Sequence, residues 1–69
     1  MKKYYVLLDN LARVIVILHT DNKDAWEKYD NGNLYEVKRF LKKERVDAFL
    51  DSINVNGSSI HFDKYLVGA

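Results

Sequence analysis

The sequence predicts one small α+β domain over residues 1–69, with a mostly antiparallel sheet of three or four strands and two short helices. Three observations predict this fold class. Two segments near the amino terminus are rich in aromatic and β-branched residues. A helical apolar stripe follows in the second half, and the last segment alternates between apolar and polar residues. The predicted order of elements is ββαβαβ.

The first two strands are predicted at residues 4–8 and 13–20, on either side of the short interruption at residues 10–12. Because both segments carry residues that favour strands and the connection is short, we expect an antiparallel hairpin. Thr20 or Asp21 can then cap a short helix, whose narrow apolar face contains Ala25, Trp26 and Tyr29. The Asp-Asn-Gly-Asn sequence at residues 30–33 ends this helix.

Residues 34–41 fit more than one element. Asn33 and Glu36 have the spacing of a helix cap, which would allow one long helix from here onward. However, the apolar stripe loses its phase after Leu41, and like charges would lie four residues apart. We therefore favour a third strand at 34–41 and a separate helix at about 43–53. A hairpin that pairs 25–29 with 34–40 is a further alternative.

The end of the chain predicts a turn and a last strand. Residues 54–57 have the composition of a turn. Residues 59–67 alternate, with Ile60, Phe62 and Leu66 on one side. A strand with one apolar face is therefore expected there.

Both faces of the predicted hairpin are apolar. Side chains alternate along a strand, so Tyr5 and Leu7 face one way, as do Ile15 and Ile17 in the second strand, while the residues between them are also apolar. Two short helices can cover one face, and little of the chain remains for the other. An exposed apolar face would cost a large part of the stability of a small domain. We expect a homodimer or another protein to cover Tyr5, Leu7, Ile15 and Ile17; the alternative is coverage by the chain's own loops and tail.

A basic segment lies in the second half of the chain. It contains five cations and a neighbouring aromatic residue, namely Lys38, Arg39, Lys42, Lys43, Arg45 and Tyr35. A solvated surface, an acidic protein partner and a nucleic acid with Tyr35 or Phe40 stacked on its bases are three interpretations of this pattern. Residues 34–40, which end in a phenylalanine, followed by residues 44–50 resemble a strand–phenylalanine–helix unit of the amino-terminal hybrid-binding domain of some ribonucleases H and of peptidoglycan-binding repeats. The chain lacks the glycine-containing turn that the hybrid-binding domains carry between their first strands.

The sequence offers little support for catalysis, a cofactor or a metal. The chain has no cysteine, which excludes disulfides and thiolate metal sites, and it contains no glycine-rich phosphate loop. Two His-x-Asp pairs, His19 with Asp21 and His61 with Asp63, are interpreted as surface residues rather than metal ligands.

These observations together predict a non-catalytic regulator, inhibitor or adaptor that acts by protein–protein interaction. The net charge of +1 gives no general attraction to nucleic acids or membranes, so nucleic-acid binding is the second hypothesis. No apolar run is long enough to cross a bilayer, so a cytoplasmic protein is expected. The many residues with AT-rich codons suggest a bacterial or phage source.

Overall fold

Four strands and three helical segments follow one another in the computed structural model, which describes residues 1–53 and 61–67. They are β1 (Lys3–Asp9), β2 (Val14–Thr20), a 3₁₀ helix (Ala25–Tyr29), β3 (Leu34–Phe40), α1 (Lys43–Ser52), α2 (Phe62–Tyr65) and β4 (Leu66–Val67). The strands form one sheet in the order β3-β1-β2-β4. β1 pairs antiparallel with both β2 and β3, while β2 and β4 are parallel. The molecule is thus a small α+β fold with a mixed, mostly antiparallel sheet.

The predicted hairpin, third strand and following helix are confirmed. The single long helix and the hairpin between 25–29 and 34–40 are both wrong, since residues 34–40 pair with β1. The predicted ββαβαβ order differs from the structure in two ways. The segment after β2 is a 3₁₀ helix rather than an α-helix, and a second short helix precedes β4.

The turn between β1 and β2 is organised by Asp9. Its Oδ1 accepts hydrogen bonds from the backbone N–H groups of Leu11 and Arg13, both at 2.9 Å. Its Oδ2 accepts a hydrogen bond from Arg13 Nε at 2.8 Å. These bonds, first of all the one from the Arg13 backbone, lower the pKa of Asp9. Ala12 closes the turn at φ 59°, a conformation that residues with a side chain adopt at a cost.

The helix face of the sheet is covered by α1 and α2. Six buried residues form its core, namely Val6, Leu8, Ile17, Val46, Leu50 and Phe62. Val46 and Leu50 lie four residues apart on α1, so both side chains point at the same part of the sheet. The aromatic rings of Phe40 and Phe49 meet at the edge of this cluster, with their centroids 5.5 Å apart.

The opposite face has a cover of its own, the 3₁₀ helix. Tyr5, Leu7, Val16 and Leu18 are buried there. Ala25, Trp26 and Tyr29 pack against them from the 3₁₀ helix, together with residues of β3 and β4. The two predicted helices therefore lie on opposite faces of the sheet rather than together on one. This arrangement buries both faces of the hairpin within a single chain.

The end of the chain differs from the predicted strand. The predicted turn at 54–57 and the first two residues of the predicted strand lie outside the described residues. Residues 62–65 form a helical turn, and only Leu66–Val67 pair with β2. Phe62 and Tyr65 both pack on the helix face, a spacing of three that a helix satisfies. An alternating strand would place Phe62 and Tyr65 on opposite sides, whereas the helical turn brings both side chains to the same face.

Candidate interaction surface

The residues predicted to form an apolar docking face belong to the core. Tyr5 is 3% exposed, and Leu7 and Ile17 are fully buried. They also divide between the two faces, because Leu7 lies opposite Val16 while Ile17 lies opposite Val6. Ile15 has no partner in β1, since the register shifts between Leu7 and Leu8, and it packs half-buried with the Tyr5 face. The expectation that this face needs a second protein is corrected: the chain's own 3₁₀ helix covers it.

The basic segment is divided by the sheet. Lys38 lies opposite Val6 on the helix face, where its Nζ is 5.9 Å from the ring centroid of Phe49. Arg39 points to the other face, and its guanidinium lies 5.9 Å from the ring centroid of Tyr5. Neighbouring residues of a strand alternate between faces, so two adjacent cations cannot contribute to one patch on a sheet face.

Lys43 interacts mainly with its own helix. Its Nζ donates a hydrogen bond to Asp47 Oδ2 at 3.0 Å, one helical turn away. The same atom lies 4.7 Å from the ring centroid of Phe62. The hydrogen bond to Asp47 is the main reason why the pKa of Lys43 is raised.

The corner between β3 and α1 is exposed. All five residues from 41 to 45 are exposed, and Leu41 retains 62% of its surface. Among the described residues, Lys42 and Arg45 make no ion pair. We call Leu41, Lys42 and Arg45 the basic corner. Leu41 was not among the predicted contact residues. The signal in the sequence is that the apolar stripe of residues 34–41 loses its helical phase after Leu41.

Tyr35 and Phe40 differ in exposure. Tyr35 is 76% exposed and has no partner in β1, because Leu8 lies opposite Glu36 and Asp9 opposite Leu34. Tyr35 is therefore the extra residue of a β-bulge, a feature that interrupts regular pairing at a sheet edge. Phe40 packs on the helix face and is half-buried. Only Tyr35 of these two rings is free to stack on another molecule.

The two His-x-Asp pairs show no metal-binding geometry. The ring of His19 stacks on Tyr4, with centroids 4.1 Å apart and an angle of 5° between the planes. Within residues 1–53 and 61–67, no group of three or more potential ligands could hold a metal ion. His19 also lines a surface depression, together with Lys28, Tyr29 and Val67, among others.

Comparisons with family models, curated proteins and solved structures found no match. None of the helices in the described part of the chain is long and apolar enough to cross a membrane.

Proposed function

We propose that this protein is a non-catalytic regulator that binds an acidic surface of another protein through its basic corner. The observation that carries the proposal is the exposure of Leu41 beside Lys42 and Arg45. We place the protein in the bacterial cytoplasm, encoded either by the bacterium or by a phage. It acts there as an inhibitor or adaptor by covering the surface that it binds. Its lack of cysteine is compatible with a reducing compartment.

The basic corner supports this proposal by its combination of apolar and charged groups. An exposed leucine supplies apolar area that becomes buried on contact. Lys42 and Arg45 pair with no carboxylate in residues 1–53 and 61–67, so both charges can interact with carboxylates of a partner. Such charges mainly set the association rate and the choice of partner.

Binding of single-stranded nucleic acid is the second candidate. Tyr35 favours it, because a ring that is 76% exposed is available to stack on a base. The packing of half-buried Phe40 on the helix face and the positions of Lys38 and Arg39 on opposite faces count against it. A nucleic acid would need cations that follow one path along its backbone.

Site-specific photo-crosslinking in the native host tests the proposal. A benzoylphenylalanine is placed at Leu41 or at Leu11, which are both exposed leucines but lie at opposite ends of the sheet. We expect an adduct with a protein other than this chain from position 41 and no such adduct from position 11. The Lys42→Glu/Arg45→Glu variant should lower its yield about tenfold or more, because the charges now repel an acidic partner.

The matched control is Lys2→Glu/Lys23→Glu, which changes the net charge equally at two other exposed lysines. This control should leave the adduct intact. Equal adducts at both leucines, or no response to the corner variant, would contradict the proposal. A nuclease-sensitive adduct would support the second candidate instead, and the affinity of the purified protein for single-stranded nucleic acid should then fall by about one log unit per contacted phosphate for each decade of salt.

A further inference from the structure

β3 is an outer strand of the sheet among the described residues. One of its edges pairs with β1, and the other has no neighbouring strand in residues 1–53 and 61–67. An unpaired strand edge presents backbone N–H and C=O groups that can pair with another strand. In the same part of the chain, the opposite edge of the sheet is the two-residue strand β4. The described sheet therefore has one long edge and one short edge.

The sequence of β3 is complementary to itself in one register. Two identical strands related by a two-fold axis pair antiparallel, so one residue lies opposite its own copy. Centring on Glu36 or on Lys38 would place two like charges opposite each other, which is unfavourable. Centring on Val37 places two valines together and sets each Glu36 opposite Lys38 of the partner subunit.

The side chains of Glu36 and Lys38 are available for this pairing. They are 47% and 44% exposed, and they already form an ion pair of 3.4 Å within the chain. In the Val37 register, each gains a second opposite charge.

We propose that β3 is the dimerisation edge of this protein, and that its occupant is a second copy of the chain paired antiparallel about Val37. The two sheets join into one sheet of eight strands, whose outer edges are the short β4 strands. Because the contact uses the same edge of both subunits, it closes as a dimer. The dimer does not use the buried residues Tyr5, Leu7 and Ile17.

Lysines and bulges also protect edge strands from pairing, and Lys38 and Tyr35 are features of that kind. The distinguishing feature is Glu36. A lysine alone would repel its own copy, whereas Glu36 two residues before Lys38 makes the pair self-complementary in the Val37 register.

Cysteine crosslinking tests the register, since the natural chain has no cysteine. Directly opposite Cα atoms of antiparallel strands are about 4.5–5.5 Å apart, within the range of a disulfide. Mild oxidation of the Val37→Cys variant should therefore produce a disulfide-linked dimer. Glu36→Cys and Lys38→Cys alone should form no disulfide-linked dimer, because each cysteine is then about 8 Å from its own copy. A mixture of these two variants should crosslink.

Charge reversal tests the dimer without any crosslink, by sedimentation from micromolar to submillimolar concentration. Glu36→Lys and Lys38→Glu should each weaken the association of the full chain about tenfold or more, because like charges then face each other. Mixing the two variants should restore association as a heterodimer. Circular dichroism and thermal unfolding verify that each variant is folded.

A wild-type protein that remains monomeric at the highest concentration would overturn the proposal, as would crosslinking through position 36 or 38 alone. Such a monomer would indicate that Lys38 and the bulge protect the edge. This outcome leaves the basic corner untouched, so the dimer and the proposed function fail independently.

Discussion

Both faces of the sheet are apolar, yet they are covered in different ways. The helix face is covered by α1, whose Val46 and Leu50 are almost completely buried. The opposite face is covered by the 3₁₀ helix, none of whose five residues is fully buried. Tyr5, Leu7, Val16 and Leu18 nevertheless lose at least nine-tenths of their surface beneath this thinner cover. A short segment with a tryptophan and a tyrosine can thus bury a sheet face that would otherwise require a partner.

The strongest test of this difference is Leu50→Ala on the helix face. Leu50 is 2% exposed and belongs to the core cluster, so its truncation leaves a cavity beneath α1. We expect the free energy of unfolding to fall by about 2–5 kcal/mol, measured by urea denaturation. A loss below 1 kcal/mol would show that α1 does not dominate the cover of this face.

Trp26→Ala tests the thinner cover on the opposite face. Trp26 is half-buried, so its loss removes less contact than that of Leu50. We expect a decrease of about 1–2 kcal/mol in the free energy of unfolding. Because Leu7, Val16 and Leu18 become accessible, the folded variant should also bind the dye ANS. A variant with unchanged stability and no dye binding would show that the 3₁₀ helix does not cover this face.

Ala12→Gly changes the turn between β1 and β2 without touching either face. Ala12 has a φ of 59°, and glycine adopts this conformation without the cost that a Cβ imposes. We expect thermal unfolding to show a gain of about 1 kcal/mol. The gain should be the same in the Leu50→Ala and Trp26→Ala backgrounds, since the turn is independent of both covers. Unequal gains would indicate that the turn and one cover depend on each other.

The smallest expected effect is the acid dependence contributed by Asp9. Its pKa is lowered in the folded state from the usual 3.8, chiefly by the hydrogen bond from the Arg13 backbone. The ionised Asp9 carboxylate therefore stabilises the folded state above pH 3.8, and this stabilisation is lost as the pH falls through the lower pKa that Asp9 has in the folded state. Asp9→Asn should weaken the dependence of stability on acid, as measured by urea denaturation between pH 2 and pH 5. An identical slope in both proteins would contradict this role.

The sequence predicts the elements better than their arrangement. Local signals are sufficient for β1 and β2, and the stripe of Val46, Phe49, Leu50 and Ile53 predicts α1. At β3 they also fit a helix, and the strand is favoured only because the apolar stripe loses its phase after Leu41. Nothing in these signals determines on which side of the sheet a short connection lies. Two helices on one face would leave the other face uncovered, whereas the structure has one of these two helices on each face.

The candidate surface was predictable only in part. Lys42 and Arg45 are exposed as a charged segment usually is, but strand alternation separates Lys38 from Arg39. The exposure of Tyr35 depends on a register shift between β1 and β3, which follows from the geometry of the paired strands and not from the local sequence.

The central claim is that one chain covers both faces of its own hairpin, and hydrogen exchange of the Lys38→Glu variant tests it most directly. Sedimentation first establishes a concentration at which this variant is monomeric. We predict that the amides in the middle of β1 and β2 exchange most slowly there, at rates set by global unfolding, and that the monomer binds no ANS. Rapid exchange of β1 together with dye binding by the folded monomer would contradict the claim, because one face of the hairpin would then be open without a partner.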